Sequence, residues 1–130
     1  MMLAKVEVAS AAKYAQDVAM GRHAMKADEP ERLGGADSGP APYQILLASL
    51  GACTSITLRM YAERKGWELG TVRIALSLAR AEAGAETIAR EISDSSPLTD
   101  EQRARLLEIA GKTPVTKTLL KGVAIDSRFA

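Results

Sequence analysis

The chain reads as an α+β protein, and three local patterns carry that reading. A long apolar helical stretch runs from Pro42 to Lys65 and stops at Gly66. Two runs, Thr71 to Ala79 and Glu86 to Ile92, alternate apolar and polar side chains across a short Ala83-Gly-Ala connection, as an antiparallel hairpin with one polar face does. Leu98-Thr-Asp-Glu-Gln then has the form of a capping box, with Thr99 as N-cap and Gln102 three residues on. Strands, then a long helix, then strands and more helix is an α+β order.

Taken in order, Ala4–Val8 and Tyr14–Met20 predict an opening hairpin joined through Ser10-Ala-Ala-Lys13, and Gly21-Arg-His-Ala-Met-Lys predicts another short strand. Gly34 to Pro42 is a dense cluster of turn formers. Proline suits the first turn of a helix because its missing N–H would be unpaired there anyway, so the central helix starts at Pro42. Within it Leu46, Leu50, Cys53, Thr57, Met60 and Tyr61 recur at spacings of three and four, which puts them on one face. Ile45, Leu47, Ile56 and Leu58 make the other sides apolar too, so this helix is expected to be surrounded by protein. Gly51 costs about 1 kcal/mol relative to alanine in a helix interior, and with Ala48, Ser49 and Ala52 beside it the segment predicts close approach of another backbone, a partner helix. The helix behind Thr99 is expected to bury Leu106, Leu107, Ile109 and Ala110. A short helix is expected from Pro114, and a last strand over Val123–Asp126.

The 130 residues suit a single domain, 1–130, with enough chain to bury a core. A net charge of +1 gives no electrostatic reason to expect nucleic acid or an anionic membrane as partner. The N-terminus carries charges where a signal peptide needs an apolar stretch, and no run approaches the ~18 apolar residues of a membrane span, so the expectation is a soluble, cytoplasmic protein. The single cysteine, Cys53, rules out an internal disulfide, and the single histidine leaves no zinc site. No metal and no cofactor is expected.

Cys53 is therefore the chemical question. A buried cysteine is often only a small hydrophobe, but a thiolate beside a cation is a nucleophile. It lies about three turns into its helix, beyond the reach of the helix dipole, and its helical neighbours Ser49, Leu50, Ile56 and Thr57 are uncharged. A cation must come from elsewhere. Arg22 and His23 are the candidates; as strand neighbours they would face opposite ways, so both cannot serve one thiol. Met60 and Tyr61 are near by helical spacing and are candidates to line an apolar pocket, or are plain core.

Several segments together resemble the family of osmotically inducible protein C and the organic hydroperoxide resistance proteins: Gly34-Gly with Gly39-Pro-x-Pro-Tyr43, Leu46-Leu-Ala-x-Leu-x-Ala-Cys-Thr54, Tyr61-Ala-Glu-Arg-Lys-Gly-Trp67, Leu98-Thr-x-Glu-Gln-Arg103 and Pro114-Val-x-Lys-Thr-Leu119. The likeness is to the branch without a resolving cysteine. It implies antiparallel sheets wrapped around the central helix in an intertwined homodimer, with Cys53 as the peroxidatic cysteine and Arg22 holding its thiolate. A pocket for an organic hydroperoxide or other small apolar molecule is expected at Tyr43, Gln44, Met60 and Tyr61, and with one cysteine in the chain an external thiol reductant is expected. The chain departs from the pattern at Thr113, where the peroxidases carry their second cysteine, at Tyr43, where they carry a glutamate, and at Thr116, where they carry a histidine. Three readings stay open: a one-cysteine peroxidase, a non-catalytic dimer that binds a small apolar ligand, and a redox sensor.

Overall fold

The computed structural model describes residues 1–130. The fold is mixed α+β, with antiparallel sheets and three α-helices. The chain divides into two compact units, Met1–Leu46 and Leu47–Ala130.

The first unit carries a three-stranded antiparallel sheet, β1 (Glu7–Ala9), β2 (Gln16–Met20) and β3 (His23–Ala27), in that order. Its register sets Val8 against Val18 and Val18 against Met25, so the period-two apolar residues share one face. The opening strand starts at Glu7, not Ala4. β2 and β3 are joined by the pair Gly21-Arg22, and glycine supplies the positive φ of +60° that such a tight hairpin turn requires. Only Ala27 and Asp28 of this unit are buried. The Asp28 carboxylate organises the segment that follows: it accepts from the backbone N–H of Glu29 (2.7 Å), Ala36 (3.2 Å) and Ser38 (3.1 Å) and from the Ser38 hydroxyl (2.7 Å). Those bonds, the Ser38 hydroxyl first, hold its carboxyl below the ordinary value of 3.8. Gly35 fits here because a Cβ would collide with the Glu29 carbonyl. The cluster of turn formers thus closes a carboxylate-centred loop, and a short 3-10 turn at Glu31–Leu33 precedes it.

Helix α1 (Pro42–Lys65) starts and stops where the sequence places it, closed by Gly66 at φ +71°. Gln44 helps start it, its Oε1 accepting from the Ala41 N–H at 2.9 Å. With 24 residues it is long and apolar enough, by length and composition, to cross a membrane, which corrects the expectation that no run reaches that size. The same composition serves a core helix, and α1 buries Leu50, Gly51, Thr54, Leu58, Tyr61 and Ala62. It is not enclosed on all sides: Leu46, Ile56 and Met60 are exposed. Gly51 also finds a different neighbour from the one its sequence suggests. Within the chain, a Cβ there would meet Leu76 Cδ1 at 2.8 Å, so its smallness admits a sheet side chain.

Strands β4 (Val72–Arg80) and β5 (Glu86–Asp94) form the second sheet, antiparallel, with Ile74 opposite Ile92 and Leu78 opposite Ile88. Their connection closes through Ala81 N–H to Ala85 O at 2.8 Å, with Gly84 at φ +99°. Helix α2 (Asp100–Ala110) has the complete capping box: Thr99 Oγ1 accepts from Gln102 N–H at 3.0 Å, and Gln102 Oε1 from Thr99 N–H at 2.9 Å. Such a cap contributes about 1 kcal/mol. Leu106 and Ala110 go into the core with Leu58 and Tyr61, and Trp67, Leu69, Ile92, Leu98 and Ile109 pack around them. Leu107, expected inside, is 65% exposed, because the residue after Leu106 turns ~100° away from the core-facing side. Helix α3 (Pro114–Lys121) follows with proline in its first turn. The strand expected over Val123–Asp126 does not form. Gly122 redirects the backbone at φ +79°, no strand lies alongside to complete a ladder, and Val123, Ile125 and Phe129 remain exposed.

Candidate functional site

Cys53 is a free, half-buried thiol in the middle of α1. Met60, two turns on, lies on the same face and is 56% exposed. Ile56 and Ala52 are exposed beside them, so the thiol sits in a mostly apolar, uncharged strip of helix. Tyr61 is turned about a further 100° and belongs elsewhere. It is buried in the core, its ring packs edge-on to Trp67 at 5.6 Å, and its hydroxyl accepts from Arg105 Nε at 2.8 Å. Of the two readings its spacing left open, pocket lining or plain core, Tyr61 takes the core.

The other expected site residues stand apart from Cys53 along the chain. Arg22 is exposed at the tip of the β2–β3 hairpin in the first unit, and His23 opens β3 opposite Met20. Arg22 is a turn residue, so its side chain is not bound to the alternation of β3 as His23 is. Tyr43 is 56% exposed in the first turn of α1, and Gln44 is engaged in starting the helix.

The second unit contains a polar cluster centred on Arg90, a residue absent from the sequence-predicted site. Arg90, on β5, donates from Nη1 to Thr54 Oγ1 and to Thr116 Oγ1, both at 2.9 Å, and from Nη2 to the Ala110 carbonyl at 2.9 Å. The Thr54 hydroxyl donates in turn to the Leu50 carbonyl at 2.7 Å, the ordinary back-bond of a helical threonine. Thr113 and Thr116 share a hydrogen bond of 2.6 Å, and Thr116 also donates to the Ala110 carbonyl at 3.2 Å. All three threonines are buried. Two of the positions where the chain departs from the peroxidase pattern, Thr113 and Thr116, are thus joined by one guanidinium to Thr54, the residue after Cys53. The sequence did carry a signal. Arg90 is in phase with Ile88 and Ile92, on the apolar side of an alternating strand, where a cation is out of place.

The same unit has an apolar cavity of about 300 Å³ lined by Leu58, Leu69, Ile92, Asp94, Arg103 and Leu106 among others. Leu58 is about 140° around α1 from Cys53, so the cavity opens on a different side of the helix from the thiol. At its edge, burial pushes the Asp94 carboxyl up. Hydrogen bonds from the Ser96 hydroxyl and N–H and the Gly70 N–H, with the charge of Arg59, outweigh that and hold it below its ordinary value.

Comparison with known proteins places this architecture. A family model described as OsmC-like protein matches residues 35–128. No curated protein matches the chain. Among solved structures, an OsmC-like protein from Mycoplasma pneumoniae is similar at TM-score 0.74 and 16% identity, covering 92% of this chain and 88% of that one. An organic hydroperoxide resistance protein OsmC from Legionella pneumophila is similar at TM-score 0.67 and 18% identity, over 92% and 90% of the two chains. The organic hydroperoxide resistance protein OhrB of Bacillus subtilis gives TM-score 0.63 and 21% identity over 90% of each. At these identities the likeness to solved structures shows the fold.

Proposed function

The chain belongs to the OsmC-like protein family, and from that premise we propose that it is a thiol-dependent reductase of organic hydroperoxides that uses Cys53 alone. The observation that carries the reading is the free, half-buried thiol of Cys53 on the open apolar face of α1, beside Ile56 and Met60. An apolar surround suits the organic part of a hydroperoxide, and partial exposure lets a small molecule reach the sulfur. The Cys53 thiolate attacks the terminal oxygen of ROOH; an S–O bond forms, the O–O bond breaks, and the alkoxide leaves as ROH after taking a proton. Sulfur is oxidised by two electrons to sulfenic acid. With threonine at position 113 there is no second thiol in the chain, so an external dithiol returns the sulfenic acid to thiol, releasing water and becoming a disulfide.

Arg22 is proposed to hold the thiolate, because a guanidinium stays charged at any working pH and points its donors in a fixed fork. A second copy of the chain is proposed as the partner that completes the protein, working in the cytoplasm. Small residues Ala48, Ser49 and Ala52 are exposed on α1, and the first unit leaves Val8, Tyr14 and Leu33 exposed while burying only two residues. A second copy would bury such surfaces.

The experiment is peroxide consumption by the purified protein with an organic hydroperoxide and dithiothreitol, compared with Cys53→Ser, alongside intact mass after peroxide alone. Turnover that vanishes in Cys53→Ser, with one or two oxygens added to the wild type when no thiol is present, supports the reading. If Cys53 stays unmodified in the folded protein and reacts only after denaturation, the chemistry is absent. The apolar cavity of about 300 Å³ would then favour the alternative, a non-catalytic protein that binds a small apolar ligand.

A further inference from the structure

We infer that Arg90 is a positioning residue for Cys53, acting from within the same chain through Thr54 and making the potential at the thiol more positive, so that anions are favoured there. This rests on Cys53 being the reacting thiol. Three observations carry it.

Arg90 occupies a place where packing alone favours an aliphatic side chain, in phase with Ile88 and Ile92 on β5 and opposite Leu76 on β4. Retaining a part-buried cation there costs stability unless something compensates it, and replacing buried ions by apolar residues of similar volume is often neutral or better. Its charge is not neutralised by a carboxylate. The ion pairs of the chain are Lys26–Asp17, Arg80–Glu86 and Arg105–Glu108, and Arg90 is in none of them. Its acceptors are two hydroxyls and one carbonyl, the last at the C-terminal end of α2, where the helix dipole offers only a partial negative charge. Its Nη1 lies 2.9 Å from the hydroxyl of Thr54, the residue that follows Cys53 on α1. Thr54 gives its proton to Leu50 and offers its lone pair to Arg90, so the bond is fixed in direction. Bond lengths alone place Nη1 within about 12 Å of Sγ.

A unit charge at that range, in a medium of effective dielectric about 40 and at low ionic strength, changes the local concentration of a singly charged anion about three-fold. Charge-selective alkylation reads this effect directly. The rate of Cys53 labelling by iodoacetate, divided by the rate with neutral iodoacetamide, reports the potential at the sulfur and cancels thiol accessibility. The comparison uses full-length wild type, Arg90→Met, Arg90→Gln and Arg90→Lys, with labelling followed by intact mass. The expected result is a ratio about three-fold lower in both neutral variants and close to wild type in Arg90→Lys. A purely structural role gives a different pattern: loosening α1 raises both rates together and leaves the ratio unchanged, which overturns the inference. If neither neutral variant folds while Arg90→Lys does, Arg90 is a structural ion and the inference falls as well. A ratio that drops as expected in a protein that consumes no hydroperoxide upholds the inference and removes only the peroxidase reading.

Discussion

Thr54→Val tests how much of the second unit depends on the arginine-centred network. Valine has nearly the shape of threonine, and Thr54 is completely buried, so the change removes a hydroxyl without opening a cavity. Two bonds go. The Leu50 carbonyl loses a donor at 2.7 Å but keeps its place in the helix ladder, so that loss is small. Arg90 Nη1 loses an acceptor at 2.9 Å and keeps Thr116, also at 2.9 Å. A hydrogen bond to a charged group contributes about 1.5–3 kcal/mol. The new buried methyl returns about 0.8 kcal/mol. The expected net cost is therefore about 1–2 kcal/mol. Thr116→Val alone should cost a similar amount or somewhat more, since it also cuts the bond to Thr113. The double variant is decisive, because it leaves Nη1 with neither hydroxyl and exposes the guanidinium to its desolvation penalty. Its cost should exceed the sum of the singles by at least about 1 kcal/mol. Urea unfolding followed by Trp67 fluorescence, at one fixed protein concentration, measures all three. Strict additivity, or a single-variant cost under about 0.5 kcal/mol, would refute the view that Arg90 binds these elements together.

Two further outcomes follow from single positions. Gly51→Ala should change stability by no more than about 1 kcal/mol, since the gain in helix propensity is offset by moving the flexible end of Leu76, whereas Gly51→Leu should destabilise the fold itself by about 2 kcal/mol or more in thermal unfolding. A Gly51→Leu protein with wild-type stability and altered assembly only would put a helix, not β4, against this residue. Because the folded-state pKa of Asp28 is lowered, its contribution is fully present above the ordinary value of 3.8 and is lost as pH falls through the lower folded value, so the wild type should lose stability in that acid window. Asp28→Asn should be less stable at pH 7 and should show a flatter acid limb; an unchanged limb would contradict the role given to this carboxylate.

The elements legible in the sequence are those whose determinants are close along the chain. The capping box at Thr99 and Gln102, the alternation of β4 and β5, and the Pro42 start and Gly66 stop of α1 each draw on residues a few positions apart, and each is found where it was expected. The family likeness was legible too, because short motifs in a fixed order survive without any knowledge of contacts. Local patterns failed where a distant partner decides. Val123–Asp126 has strand-like residues but no neighbouring strand, and Leu107 is exposed where burial was expected because helical spacing alone does not say which side the core lies on.

The sequence by itself determined that this is an α+β member of the OsmC-like family with one thiol on a long central helix, since periodicity, caps and motif order are properties of neighbouring residues. It also showed that Gly51 needs close approach. Only the tertiary structure decided that Leu76 makes that approach and that Arg90, Thr54, Thr113 and Thr116 form one hydrogen-bonded group. Those contacts join residues up to 36 positions apart, and which acceptors a guanidinium finds depends on how β5, α1 and α3 pack, not on what stands beside it in the chain.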